Sequence, residues 1–581
     1  MMGIAGGVGG GRCCGAKAQV EFAGILQGLK IPFSSLSSLL VAAGVFGLLL
    51  TPVGAQVHAG AGTYGIAGTV VNALSGEPVP GATVAVQTEE DSRVAAVECG
   101  NDGRFALEGL PAAKYKLSAS KRGYLTAAYD AHEEFSSAIV TGAGQDTSHL
   151  VFKLVPGAVL HGVVSGDGGD GVEGAKVMLF HVPRALGHDN ARARGPLKSI
   201  ELVETVSTDD TGSYEFDNPK PGEYLVAVAA EPWYALHRAL FGAGQGAKAE
   251  GGGLDVAYPL TFFDSTTEEA SAVPIEVTGG SRIEANISLH AVPALHLAVE
   301  APHKQDGSVV RPELKQSVFG TEIPAETTAA LDSLQTESTE FTGVAPGHYV
   351  LWQGDPPRVA ELDATVSQQV DGRAGAAAVA VQGTLRLGPG QLLEDDADVA
   401  LYLMDGPLHL NPLTGKAVKG RFRIEGVAPG VWELFAWSGG HLMPTLTVAV
   451  NGVIHAGGTF TVGERPLAVA ATVAPGEARV EGFAQKAGRG FAGALVVLAP
   501  KNRVAFDSLV VRDQSDSDGS FSLQHVTAGQ YTLVAIEGAW DLADAGIEAL
   551  GRYLPGGVAV TVTGTGEKVL RLSEPVQVQP R

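Results

Sequence analysis

Phe105-Ala106-Leu107-Glu108-Gly109-Leu110-Pro111-Ala112-Ala113-Lys114-Tyr115 decides the reading of this chain. Phe105 and Leu107 alternate with neighbours that face water, as a half-buried strand demands, and Tyr115 and Leu117 resume the alternation after a Pro-marked break. The pattern recurs as Tyr214-Glu215-Phe216 to Tyr224, Phe341 to Tyr349, Phe422-Arg423-Ile424 to Trp432 and Phe521-Ser522-Leu523 to Tyr531. In all five copies the second apolar position lies eight before the aromatic: 107 and 115, 216 and 224, 341 and 349, 424 and 432, 523 and 531. Four copies keep Gly two before the aromatic (Gly222, Gly347, Gly430, Gly529). An internal repeat of this kind sets the architecture before any local reading. Each copy reads as two inward-facing strands joined as a hairpin by a tight Pro/Gly connection. Turn signals precede three copies: Asn101-Asp102-Gly103, Asp209-Asp210-Thr211-Gly212 and Asp516-Ser517-Asp518-Gly519. The alternating Asp516 and Asp518 also suit a calcium loop, but no copy has the twelve-residue spacing with a terminal Glu that an EF-hand needs, so no calcium is expected.

Working outward, a second module lies upstream. It runs from Gly68-Thr69-Val70-Val71 through Pro78-Val79-Pro80-Gly81-Ala82-Thr83-Val84, returns from Gly162 to Leu179, and appears again from Gly482 to Leu498. Closing strands are expected at Leu150 to Leu154, Ile283 to Leu289 and Lys568 to Leu572. About seven short strands per 80 to 130 residues is the profile of a β-sandwich. The fold class is therefore all-β, a tandem array of antiparallel, Greek-key-type sandwiches. The expected divisions are 63–155, 156–291, 292–380, 381–463 and 464–581. Composition agrees. Gly is 78 of 581 residues and follows no period of three, which excludes collagen, while 45% of the chain is hydrophobic and can build cores. With 40 Lys+Arg against 63 Asp+Glu the net charge is -23, which repels phosphate backbones and argues against a nucleic-acid partner.

The first 55 residues read as a signal peptide with a long N-terminal extension. Leu39 to Leu50 is an uncharged apolar run of twelve, short of the ~20 residues a membrane-spanning helix needs. Cleavage is expected after Ala55, and Cys13 and Cys14 lack a lipoprotein box. The mature chain, with Cys99 alone, has no internal disulfide and depends on burial for stability. The expected location is the periplasm, cell surface or exterior, with no membrane span in the mature chain.

The run Gly-x-Val, Pro78-Val79-Pro80-Gly81-Ala82-Thr83-Val84, then Asp102-Gly103-x-Phe105-x-Leu107-x-x-Leu110-Pro111 and Tyr115-x-Leu117 resembles the carboxypeptidase regulatory-like domain. The resemblance is close for 63–155, 156–291 and 476–575 and confined to the hairpin in 292–380 and 381–463. It implies a transthyretin-like, or carbohydrate-binding-like, sandwich with no catalytic residues to carry over, and the segment from Tyr258-Pro259 to Val277 is similar to a variant common in bacterial multi-domain surface proteins. Collagen-adhesin B-type domains are similar too and can carry a Lys–Asn isopeptide bond. Asn286 lies on a closing strand, but the first strands here hold no Lys, so no such bond is expected.

Inspection for chemistry finds little. None of the fifteen His begins a zinc-helix spacing, and no nucleophile elbow exists. His181, His188 and Asp189 fit a solvated loop, Gly415-Lys416 lacks the Ser/Thr of a P-loop, and Gly242 to Gly246 lies in a Gly/Ala loop. Glu89-Glu90 and Asp395-Asp396 sit in expected turns, and Cys99 has no local activating partner. No catalytic, metal or cofactor residue is assigned. Nine residues after the hairpin aromatic another aromatic follows in three copies: Tyr124, Trp233 and Trp540. A flat ring on a loop can stack on a sugar face. It can equally plug the open end of its own sandwich. The chain therefore reads as a non-catalytic structural or adhesive array with a protein or polysaccharide surface as partner, its edge strands open to strand addition. A glycan-binding protein using the three loop aromatics is the alternative.

Overall fold

The structure is a computed structural model. It describes residues 63–581 except 89–94, 133, 184–199, 238–253, 301–309, 332–337, 355–356, 389–390, 406–410, 502–508, 544–545 and 565–567. The expected signal peptide thus lies outside the described residues, as do most of the long loops after Val182 and His237.

The first sandwich shows the plan. One sheet is built from Tyr64–Asn72, flanked by Arg104–Leu110 and Leu150–Leu154. The other runs Ala95–Glu98, Thr83–Gln87, Lys114–Ser120, Ala127–Ala128, with Ile139–Val140 also paired to Lys114–Ser120. The sequence alternation is realised residue by residue. Phe105, Leu107 and Leu110 are buried from one sheet and Tyr115, Leu117 and Ala119 from the other, while Arg104, Ala106 and Glu108 face water. Further buried cores follow along the chain, around Leu160 and Phe216, Leu297 and Tyr349, Leu434 and Trp432, and Val480 and Tyr531, and the one around Trp432 also takes in Val350 and Val359 of the third sandwich. The ladders are mostly antiparallel. The closing strand is the exception: it pairs parallel to the opening strand in every sandwich, as Leu150–Leu154 does beside Gly68 to Asn72.

The repeated unit is not the hairpin that its spacing suggested. Arg104–Leu110 pairs with Tyr64–Asn72, whereas Lys114–Ser120 pairs with Thr83–Gln87 in the opposite sheet. The other four copies do the same, each first strand pairing with the opening strand of its sandwich and each second strand with a different partner. The connection is an arch across the core. Its geometry has a physical cause. Six residues before the aromatic, every copy places a left-handed residue: Gly109, Asn218, Gly343, Gly426 and His525, with φ of 74°, 56°, 73°, 74° and 54°. In four copies this residue forms a β-bulge, three residues spanning two on the opening strand. The bulge turns the strand end out of its ladder and aims the chain across to the other sheet. The Asp-Gly turns likewise change sheets: Ala95–Glu98 and Arg104–Leu110, on either side of Asp102-Gly103, belong to different sheets.

The arch is locked by one bond. The aromatic that opens the second strand is buried, and its polar handle returns to the carbonyl four residues earlier. Tyr115 Oη donates to Pro111 O (3.2 Å), Tyr224 to Lys220 O (2.9 Å), Tyr349 to Ala345 O (2.7 Å) and Tyr531 to Thr527 O (2.9 Å). In the fourth sandwich Trp432 takes the position, and its Nε1–H donates to Ala428 O at 2.8 Å. This is the geometry of a tyrosine corner. Tyr349→Phe keeps the ring and strands the Ala345 carbonyl, so we expect the third sandwich to lose about 1.5 kcal/mol. Denaturant unfolding followed through Trp352, three residues along the same strand, reads the shift.

Candidate functional site

The three candidate aromatics share an offset but not an environment. Tyr124 is half-buried against the first core, and its backbone bridges to Pro156 where the first sandwich hands over to the second. Trp540 begins the short helical turn Trp540–Leu542, packs on an apolar layer outside the fifth sandwich, and stacks on His132 at 4.2 Å and 11°. One face of its ring is therefore occupied. Trp233 differs: it is 88% exposed, touches the edge of Tyr234, and stands beside exposed Leu236 and Leu254, which are joined by a backbone hydrogen bond of 3.1 Å. Of the three rings, Trp233 alone presents its surface freely.

The residues screened for catalysis lie apart. Cys99 is buried, and burial pushes its thiol up to about 11, so the nucleophilic thiolate is disfavoured. His181 leans on the ring of Tyr224 at 5.3 Å, while His188 and Asp189 lie outside the described residues, as do Glu89-Glu90 and Gly242 to Gly246. Asp395 and Asp396 are exposed. Asn286 is engaged through its amide, accepting from Val163 N at 2.9 Å and donating to Glu284. Among the described residues no group of three His, Cys, Asp or Glu is arranged to hold a metal ion. Nor is any described helix long and apolar enough to cross a membrane.

Sequence reasoning missed a cluster of titratable side chains. It lies between the second and third sandwiches. Asp255 Oδ1 is 2.8 Å from His237 Nδ1, and its Oδ2 is 2.6 Å from His296 Nε2. His296 Nδ1 in turn lies 3.0 Å from Glu340 Oε1. Each ring nitrogen of His296 thus faces a carboxylate oxygen, one from each of two sandwiches. Its side chain is 1% exposed and that of Glu340 4%. Burial pushes the Asp255 carboxyl up, but the hydrogen bonds from His237 and His296 outweigh it and hold the group below its ordinary value. His237 Nε2 comes within 3.2 Å of Glu231 without hydrogen-bond geometry. Gly343, the left-handed residue of the third corner, leaves room for this ring; a Cβ there would meet His237 Nε2 at 2.6 Å. No local motif announces the cluster, because its members are 18, 41 and 44 residues apart. It has no open face for a substrate at His296; its chemistry is that of an ionic joint.

The other sandwich contacts follow suit. Trp352 Nε1 donates to Glu322, whose backbone N–H donates to Asn411 of the fourth sandwich. Phe319 of the third packs edge-on against Phe180 and Phe262 of the second, and His441 of the fourth stacks on His525 of the fifth at 3.7 Å.

Comparisons with known proteins find a family match for the first sandwich. Residues 65–155 match the carboxypeptidase regulatory-like domain. No curated protein matches the chain. Similar solved structures include the Bacillus anthracis TIE protein, at 11% identity, covering 86% of this chain and 68% of that one with a TM-score of 0.15. BcpA, the major pilin subunit of Bacillus cereus, is 11% identical over 73% of this chain and 98% of its own, with a TM-score of 0.13. A streptococcal ancillary pilin is 10% identical over 53% of this chain and 99% of its own, with a TM-score of 0.19. At these scores the arrays do not superpose as wholes.

Two outcomes test the electrostatics. His296→Leu strips the oxygens of Asp255 and Glu340 that face its ring of that partner and is expected to cost about 3 kcal/mol, whereas His296→Gln, which keeps a donor, costs less. Amide exchange in Leu295–Glu300 and Ser338–Val344 reads both. In the fifth sandwich, burial pushes the Asp513 carboxyl from 3.8 up to about 6. Its protonated form therefore stabilises the fold fully below pH 3.8, and that contribution is lost as the pH rises through about 6. Asp513→Asn, neutral throughout, should raise the melting temperature at pH 7.5 and leave it nearly unchanged at pH 3.5.

Proposed function

We propose that this chain is a non-catalytic, exported array of β-sandwich modules that serves a structural or adhesive role at a bacterial envelope or exterior, its modules being 63–155, 156–291, 292–380, 381–463 and 464–581. One observation carries the reading. Specific contacts join each sandwich to the next: the Tyr124–Pro156 bridge, the His237–Asp255–His296 joint, the Trp352–Glu322–Asn411 chain and the His441–His525 stack. Groups committed to joints are groups that fix one module against the next. An adhesive role finds support in the edge strand Val453–Ala456. All four of its residues are exposed, Val453 at 58% and Ile454 at 70%, and it ends the order of its sheet. An exposed apolar edge is a template for strand addition. The signal peptide read in residues 1–55 supplies the export route.

Stretching single molecules of the mature chain tests the array. We expect five separate unfolding events, each releasing roughly 30–50 nm at about 3.6 Å per residue. A single all-or-none event would sink the modular reading.

A second reading rests on Trp233, whose exposed ring suits stacking on a sugar face. Binding of the mature chain to a glycan panel, followed by Trp fluorescence, should then show a saturable shift that Trp233→Ala abolishes and Trp540→Ala leaves in place. A flat response from a folded sample removes this reading.

A further inference from the structure

The two ends of the array also touch. The turn Asp516-Ser517-Asp518-Gly519 of the fifth sandwich meets Lys114, Ala138 and Val140 of the first, across sequence separations of 377 to 402. Asp516 accepts from Ala138 N (2.8 Å) and pairs with Lys114 Nζ (2.7 Å). Ser517 completes a short backbone register, its N–H donating to Ala138 O (3.0 Å) and its Oγ accepting from Val140 N (2.9 Å). Ser137 Oγ donates to Ser515 O (2.9 Å). Gln514 Nε2 donates to Asp130 O (2.7 Å) and Ser137 Oγ (2.9 Å), and the His132–Trp540 stack closes one side. Ser137, Gln514 and Ser515 are at most 2% exposed, so the contact excludes water.

The same turn elsewhere in the chain shows that Asp516 is specialised. In the second sandwich the equivalent Asp209 spends its carboxylate on its own turn, accepting from Thr211 N and Ser213 N at 2.9 Å each. In the fifth, Asp518 accepts from Ser520 N instead. The Asp516 carboxylate keeps only a 3.3 Å bond from Ser520 Oγ within its turn and spends its other contacts on the first sandwich. A buried carboxylate is tolerated only where its acceptors are filled, and here a neighbouring sandwich fills them.

We propose that this contact is an exchangeable clasp, in which the fifth sandwich of one copy docks on the first sandwich of a second copy through these same residues and the chains join head to tail. The two faces are different, so the contact is heterologous: it closes a ring within one chain or propagates between chains. Each copy carries both halves. Within a chain, closure requires the intervening joints to bend the array back on itself. A second copy supplies the same face without that requirement. The contact is polar rather than a continuous apolar core, the character of interfaces that open and re-form. Closure in one chain wins at low concentration because the tethered partner is present at an effective concentration on the order of mM. Removing closure exposes the exchange. This deepens the structural-array reading by naming a partner.

The test uses two full-length mature chains, each blocked on one face. Ser137→Arg blocks the first sandwich and leaves the fifth intact; Ser517→Arg does the reverse. Each alone should be folded by circular dichroism, monomeric, and larger in radius of gyration than the unaltered chain by small-angle scattering. Mixed at about 100 µM, a range where contacts of modest affinity are populated, they should form a 1:1 heterodimer by sedimentation, joined through the two intact faces. Lys114→Glu replaces Ser137→Arg if the latter does not fold. A mixture that stays monomeric overturns the clasp between copies, and single variants that keep the unaltered radius overturn the clasp altogether. Neither result touches the count of unfolding events in the stretching experiment, so failure of the exchange and failure of the array reading are told apart.

Discussion

One hydrogen bond organises each sandwich: the bond from a buried aromatic to the carbonyl four residues before it. Crossing from one sheet to the other carries the backbone through the core's rim, where carbonyls lose their ladder partners. The ring resolves the conflict by filling the core with its apolar body and satisfying the carbonyl with its polar tip. The position is defined by this task and not by residue type. Trp432 performs it with an N–H where four tyrosines use a hydroxyl.

The left-handed residue six before the ring is the second half of the device. Gly takes it in three copies, Asn218 in another and His525 in the fifth. His525 occupies a conformation that costs a side chain energy, and its ring stacks on His441 of the preceding sandwich. Gly343 occupies the same position in the third sandwich, where a Cβ would collide with His237 of the second. A position set by backbone geometry has thus become a place where neighbouring modules meet.

Much of this was legible from spacing. The five aromatics, the inward residues Phe105 and Leu107, and the closing strand at Leu150 to Leu154 all follow from period-two patterning and repeat alignment, which are local properties. The hairpin reading failed because a Pro/Gly connection between two alternating segments looks the same whether the strands share a ladder or face each other across a core. Only the bulge, which involves the opening strand some 40 residues upstream in the first sandwich, separates the two. The candidate rings divide for a similar reason. A nine-residue offset places Tyr124, Trp233 and Trp540 just past a strand end, yet what lies opposite is set by Pro156 in one case and by His132 of the first sandwich in another.

The sequence by itself determined the all-β class, the repeat, the positions of the core rings and the absence of zinc-helix, nucleophile-elbow and P-loop spacings, because each is written within a dozen residues of chain. Tertiary structure alone decided which strands pair, that Trp233 and not Trp540 offers a free face, that His237, Asp255, His296 and Glu340 converge, and that Asp516 reaches Lys114. Those outcomes depend on groups brought together from 18 to 402 residues apart, and the burial that gives an ionic joint its strength exists only once the sandwiches have closed around it.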